Sequence, residues 1–120
     1  MSTQLYQQKL MEHFKSDAHK GVISSPDAQA EGVNDLCGDT LSMTITVENG
    51  IFKDIKFTGS GCILSQAAAS MLIEKVIGSS QEQVSLLGDD DMRALVGINL
   101  GPNRFACVRL ALDVLKRLKN

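Results

Sequence analysis

Tryptophan is missing from the 120 residues, and aromatic side chains make up only 4% of them. A stacking platform for bases or sugars needs more rings than that. Basic residues are in the minority, twelve against fourteen acidic, giving a net charge of −2 and a pI of about 5.6. The broad positive surface that a phosphate backbone requires is therefore lacking, and no nucleic-acid partner is expected. No apolar run approaches the ~20 residues that span a bilayer, so no membrane partner is expected either. The stretch from Met1 to Gln8 is polar and does not lead from a basic segment into an apolar one; with no such address, the cytoplasm is the expected location. Cysteines number three, an odd count that does not close a disulfide framework. In a reducing compartment they are thiols available for metal or sulfur chemistry.

What is present suits one globular domain over residues 1–120, with 43% hydrophobic and 22% charged residues. Leu5, Tyr6, Leu10, Met11 and Phe14 recur at helical spacing and predict an amphipathic helix over 3–14. From 15 to 36 the periodicity vanishes. The stretch is rich in Ser, Asp, Ala and Gly, contains Pro26, and reads as one long loop of the functional or mobile kind. Thr40 to Glu48 then alternates strictly, with Leu41, Met43, Ile45 and Val47 on one face. Asn49-Gly50 turns the chain into a second strand, Ile51 to Thr58. A two-residue Asn-Gly loop would set Ile45 opposite Asp54 and Met43 opposite Lys56, mixing charge into the core face. A three-residue loop, Glu48 to Gly50, is therefore expected, pairing Met43 with Ile55 and Leu41 with Phe57 in a bulged hairpin.

Beyond Gly59-Ser60-Gly61 the period becomes helical. Cys62 leads an alanine-rich helix from Ile63 to Ile77, stopped at Gly78. Ser80 with Gln83 forms a capping box for a short helix to Leu87, and Asp89 to Asp91 cap another over Met92 to Val96. Pro102 precedes a last helix, Arg104 to Lys119, which buries Val108, Ala111, Leu112, Leu115 and Leu118. The expected class is α+β: an N-terminal helix, a small antiparallel sheet of about three strands, and C-terminal helices packed on it.

The chemistry-bearing residues are spread along this plan. Cys37 lies at a loop-to-strand junction, Cys62 at a helix start, and Cys107 in the first turn of the last helix. Helix N-termini favour a negatively charged sulfur, the form that binds metal and attacks sulfur. A lone cysteine is more often a small hydrophobic filler, but three at such junctions weaken that reading. Asp39 stands two residues past Cys37, and in an extended segment the two side chains point the same way. A set of three thiolates and one carboxylate carries four negative charges. A zinc ion or a two-iron cluster core offsets two of them, so helix N-termini and a nearby cation are needed. Arg104, three residues before Cys107, is the candidate cation. No two cysteines lie within four residues, so this is not a zinc-ribbon pattern, and any site must be assembled by tertiary folding.

These residues resemble the IscU/NifU-type scaffold proteins of iron–sulfur cluster assembly. Asn34-Asp35-Leu36-Cys37-Gly38-Asp39 is similar to the family's Asn-Pro-x-Cys-Gly-Asp motif, with Asp35 in place of proline. Gly59-Ser60-Gly61-Cys62-Ile63-Leu64-Ser65, with Ala67-Ala68-Ala69-Ser70 after it, resembles the second motif, and Arg104-Phe105-Ala106-Cys107 the third. The resemblance implies the SufE/NifU-like scaffold fold. It also implies that Cys37, Cys62 and Cys107 hold a transient 2Fe–2S cluster or a zinc ion, and that Asp39 tunes release. Sulfur would come from a pyridoxal-phosphate-dependent cysteine desulfurase, with Cys37 and Cys107 as candidate persulfide acceptors, and the cluster would pass to apo iron–sulfur proteins. Such a protein is a carrier and not an enzyme.

Ala106 stands where the IscU branch has histidine, as in the SufU-like branch, while the interval before Cys107 is too short for the SufU insertion. Leu100-Gly101-Pro102-Asn103-Arg104 departs from the IscU segment that binds a dedicated Hsp70-type chaperone, which leaves that partner in doubt. His13 is expected to be structural or to serve docking, and His19 is a weak substitute ligand. Three functions therefore stand side by side: a cluster scaffold, a zinc-dependent sulfurtransferase, and a structural zinc or redox thiol module.

Overall fold

A computed structural model describes residues 3–35 and 38–118. The candidate ligand Cys37 lies outside the described residues, as does Lys119, the expected end of the last helix. In order, the elements are α1 (Thr3–Lys15), β1 (Ala28–Asn34), β2 (Asp39–Glu48), β3 (Ile51–Ser60), α2 (Ile63–Val76), α3 (Gln81–Ser85), α4 (Asp89–Val96) and α5 (Pro102–Arg117). The strands form one antiparallel sheet in the order β1-β2-β3.

One face of the sheet carries the core. Leu41, Met43 and Ile45 of β2 and Phe52, Ile55 and Phe57 of β3 are all buried there. Against them lie α2 and α5. α2 packs on α1, α4, α5 and β3 together, so it is apolar around most of its circumference, and Ala67, Ala68 and Ala69 are small enough for that crowding. α5 buries Val108, Ala111, Leu112 and Leu115, with Leu118 just past its end. α1 contributes less than its periodicity implies. Leu10 is buried and Phe14 packs on the core, whereas Leu5 and Met11 are exposed.

The hairpin corrects the expected three-residue loop. Glu48 pairs with Ile51 and Val47 with Phe52, so the loop is the two residues Asn49-Gly50. Both have positive φ, 54° and 76°, as the tight hairpin turn demands. The faces are rescued further along, where the register shifts between Thr46 and Val47 and leaves Lys53 as an extra residue in β3. Ile45 then meets Ile55 and Met43 meets Phe57. The charge conflict is real, and the chain resolves it with a bulge inside the strand.

The long loop over 15–36 is also corrected, because β1 lies within it. Gly21 N donates to Phe57 O and Phe57 N to His19 O, both at 2.9 Å, tying the segment after α1 to the edge of β3. Ile23 N then donates to Thr44 Oγ1 at 3.0 Å on the outer face of the sheet. Asp27 anchors the far end: its N donates to Ile45 O at 2.8 Å, and its carboxylate accepts from Val47 N at 2.7 Å. The strand that follows turns Ala28, Ala30 and Gly32 to the core face, opposite Ile45, Met43 and Leu41. They are small because α5 crosses there. A Cβ on Gly32 would lie 2.8 Å from Val114 Cγ2 and 3.2 Å from Leu110 Cδ1. The alternation is present but written in alanine and glycine, which carry little hydrophobic signal.

Candidate metal centre

Asp39 opens β2 and is completely buried, an expensive place for a carboxylate unless it is bonded or coordinating. Gly38 before it has φ 72°, and Gly38 N donates to Asn34 O at 2.8 Å. Asp39 Oδ1 accepts from the backbone N of Cys62 at 2.8 Å, and Oδ2 lies 3.4 Å from Cys62 Sγ. Of Gly59-Ser60-Gly61, expected as a turn, the first two residues instead finish β3, and the stretch permits this approach. Gly61 has φ 118°, and a Cβ there would fall 2.0 Å from Asp39 Oδ1. A Cβ on Gly59 would meet Leu41 Cδ2 and Thr40 O at 2.6 Å. Both glycines are required by the close passage of the end of β3 against the start of β2.

Cys62 is the N-cap residue of α2, with extended φ −74° and ψ 161°. Its carbonyl accepts from Ser65 Oγ at 3.0 Å, which fixes the first turn. Cys107 is buried and sits in the second turn of α5, since that helix begins at Pro102. This corrects its expected place in the first turn. Its Sγ lies 3.8 Å from Asn103 O, one turn back, and receives Asn34 Nδ2 at 3.7 Å.

The ligand atoms of Asp39, Cys62 and Cys107 all lie within 4.8 Å of one another. Sulfurs sharing one tetrahedral ion with metal–sulfur bonds near 2.3 Å are about 3.8 Å apart, so small side-chain shifts suffice to close the set. The set mixes soft thiolates with one hard carboxylate oxygen, which suits zinc and iron and binds less retentively than four sulfurs. Beside it lies a cavity of about 340 Å³ lined by Cys62, Ile63, Leu64, Asn103, Arg104 and Cys107. Arg104, the expected counter-cation, is thus on the wall of the same cavity.

Neither histidine joins the cluster. His13 Nδ1 is 2.9 Å from Ser70 Oγ, and its Nε2 is 3.2 Å from Glu74 Oε2. His19 Nε2 is 4.0 Å from Glu74 Oε1. Both fasten the N-terminal helix and the segment after it to α2. On α5, Phe105 lies under the guanidinium groups of Arg93 and Arg109, with centroid distances of 4.3 and 5.3 Å. Arg109 also grips Asp89 through two hydrogen bonds, at 3.0 and 2.5 Å, clamping α4 to the N-terminal half of α5. The hydrogen bond from Arg109 holds the Asp89 carboxyl below its ordinary 3.8, against a smaller opposing effect of burial. The same bond raises Arg109. Sequence reasoning gave Asn34 no task beyond its place in a motif. The signal was its position three residues before Cys37, and its reach to Cys107 depends on a strand the hydrophobic pattern hides.

Residues 5–118 match the family described as the NifU-like N terminal domain. An iron–sulfur cluster assembly scaffold protein IscU of Thermotoga maritima is 31% identical over 110 residues, covering 92% of this chain and 78% of that protein. A zinc-dependent sulfurtransferase SufU of Bacillus subtilis is 30% identical over 130 residues, covering 94% and 88%. That second alignment is longer than the chain's own 120 residues, so this relative carries residues that the chain lacks. Among solved structures, FiSufU of Fervidobacterium islandicum superposes with a TM-score of 0.84 at 23% identity, covering 98% of both chains. A NifU-like N-terminal protein of Brucella abortus gives 0.74 at 23%, covering 92% and 89%. These two likenesses bear on the fold.

Proposed function

The chain belongs to the NifU-like N-terminal domain family, and from that premise we propose that residues 1–120 act as one scaffold domain for iron–sulfur cluster assembly. The observation that carries this reading is the buried carboxylate of Asp39 meeting the sulfurs of Cys62 and Cys107 within 4.8 Å, beside a cavity of about 340 Å³. Cys37, two residues before Asp39, completes the proposed donor set. Sulfur enters as a persulfide. A thiolate of this chain, from Cys37 or Cys107, attacks the outer sulfur of a desulfurase persulfide. The sulfur–sulfur bond breaks, the donor cysteine leaves as thiolate, and the sulfane sulfur stays on the chain. Its conversion to sulfide takes two electrons from an external reductant, and iron joins it on the three cysteines and Asp39. The cluster is cargo, and one oxygen ligand among sulfurs eases its departure to an apo-protein. No helix among the described residues is long and apolar enough to cross a membrane, and we place the reaction in the cytoplasm.

A second reading is favoured by the same geometry and by the Bacillus subtilis relative: a zinc-dependent sulfurtransferase. One tetrahedral ion fits a carboxylate and two or three thiolates gathered this closely. Bound zinc would keep its thiolates deprotonated and aimed. Asp39, anchored on the N–H of Cys62, would then hold one corner while a cysteine exchanges sulfur at the cavity.

The deciding experiment purifies the protein without oxygen and measures iron, zinc, acid-labile sulfide, protein-bound persulfide and desulfurase turnover, with and without a cysteine desulfurase, cysteine and iron. The scaffold reading expects iron and sulfide together with visible charge-transfer bands, all lost in Cys37→Ser, Cys62→Ser or Cys107→Ser. Zinc near one per chain, with desulfurase turnover rising and no sulfide held, selects the sulfurtransferase. Neither sulfide nor persulfide in any arm leaves a structural zinc or redox thiol module.

A further inference from the structure

The geometry points to Asn34 as a positioning residue for the metal centre: its side-chain amide hydrogen-bonds to the sulfur of Cys107 and orients it toward Asp39 and Cys62. This rests on the reading of Cys107 as a ligand. Asn34 ends β1 and pairs directly with Asp39, so the two side chains share the core face. Its carbonyl accepts from Gly38 N at 2.8 Å, which closes the backbone turn just before Asp39. Its Nδ2 donates to Cys107 Sγ at 3.7 Å, a contact between residues 73 positions apart. One residue therefore ties the β1–β2 connection to α5 at the sulfur itself.

The chemistry gives that contact a sign. Asn103 O, the neighbour of Cys107 Sγ at 3.8 Å, can only accept, so it offers nothing to a metal-bound sulfur. The Asn34 amide donates, draws negative charge off the sulfur, and does so where a carboxylate and two thiolates converge. Because Asn34 is held in the sheet by its own backbone pairing, the donor is aimed before any metal arrives. Outer partners of this kind hold ligands in orientation, and removing one costs about 10- to 100-fold in metal affinity.

The test uses the full chain with Asn34→Leu, which keeps much of the volume without the donor, and Asn34→Asp, which puts an acceptor where the donor stood. Zinc affinity is measured by competition with a chromophoric chelator, and cobalt(II) is substituted to read the sulfur-to-metal charge-transfer band. We expect zinc affinity to fall about 10- to 100-fold in Asn34→Leu and further in Asn34→Asp. The charge-transfer band should move to longer wavelength, because a sulfur without its donor gives up electrons more easily. Unchanged affinity overturns the inference. So does weakened affinity with an unmoved band, which would mark Asn34 as a brace for the turn alone. Should Asn34→Leu fail to fold, Asn34→Asp, with its carbonyl still accepting from Gly38, decides by the same two readings. Cys107→Ser separates the layers. Retained zinc there removes the ligand reading and this inference with it, whereas zinc lost there but kept in Asn34→Leu removes the inference alone.

Discussion

Replacing Gly61 by alanine would drive a methyl group into the Asp39 carboxylate, a proposed ligand of the metal centre. The new Cβ would lie 2.0 Å from Asp39 Oδ1 and 2.8 Å from Asp39 Cα, where carbon and oxygen need more than 3 Å. Two costs arise. The backbone at φ 118° is unsuited to an L-residue, worth about 1–3 kcal/mol. Displacing packed Asp39 adds about 1–3 kcal/mol of the overpacking kind. Gly50→Ala is the matched control, because Gly50 also has positive φ, 76°, but a Cβ there meets nothing within 4 Å. It should cost only the backbone strain, about 1–2 kcal/mol. Denaturant unfolding of both variants, with zinc competition on each, separates the effects. Gly61→Ala should lose more stability than Gly50→Ala and most of its metal affinity, while Gly50→Ala binds metal as the parent does. Equal stability losses with intact zinc binding in Gly61→Ala would refute the packing of Asp39 against Gly61, just past the end of β3.

Gly32→Ala should destabilise by about 1–3 kcal/mol, because its Cβ would sit 2.8 Å from Val114 Cγ2; a denaturation midpoint matching the parent's would contradict the close passage of α5 over β1. Asp89→Asn should cost about 0.5–1 kcal/mol at neutral pH, small because both side chains of the pair are partly exposed. The sign in acid follows from the lowered Asp89 carboxyl. Its contribution is complete above the unfolded value of 3.8 and fades as pH falls through the lower folded value, so parent and variant should converge in acid unfolding curves.

Much of the plan is readable from residue order. Strict alternation exposes β2, the Ser80–Gln83 pair announces the capping box found there, and the apolar stripe of α5 is the stripe that is buried. β1 escapes because its core-facing positions are Ala28, Ala30 and Gly32, chosen for the room α5 leaves and not for hydrophobicity. The conflict of faces foretells a bulge, but not its position at Lys53, because the turn residues Asn49-Gly50 do not say where along the paired strands the extra residue falls. Asp39, Cys62 and Cys107 could be singled out by residue type and motif, whereas their convergence needed the sheet and two helices to be placed. For Asn34 the only local signal is its place three residues before Cys37; its reach to Cys107 depends on both the hidden strand and the start of α5 at Pro102.

X-ray absorption at the zinc edge of the zinc-loaded protein tests the central claim most directly. The account predicts a first shell dominated by sulfur at about 2.3 Å with one oxygen at about 2.0–2.2 Å, the oxygen lost in Asp39→Ala and a sulfur lost in Cys62→Ser or Cys107→Ser. A shell of oxygen and nitrogen alone, or one that these substitutions leave unchanged, would contradict it.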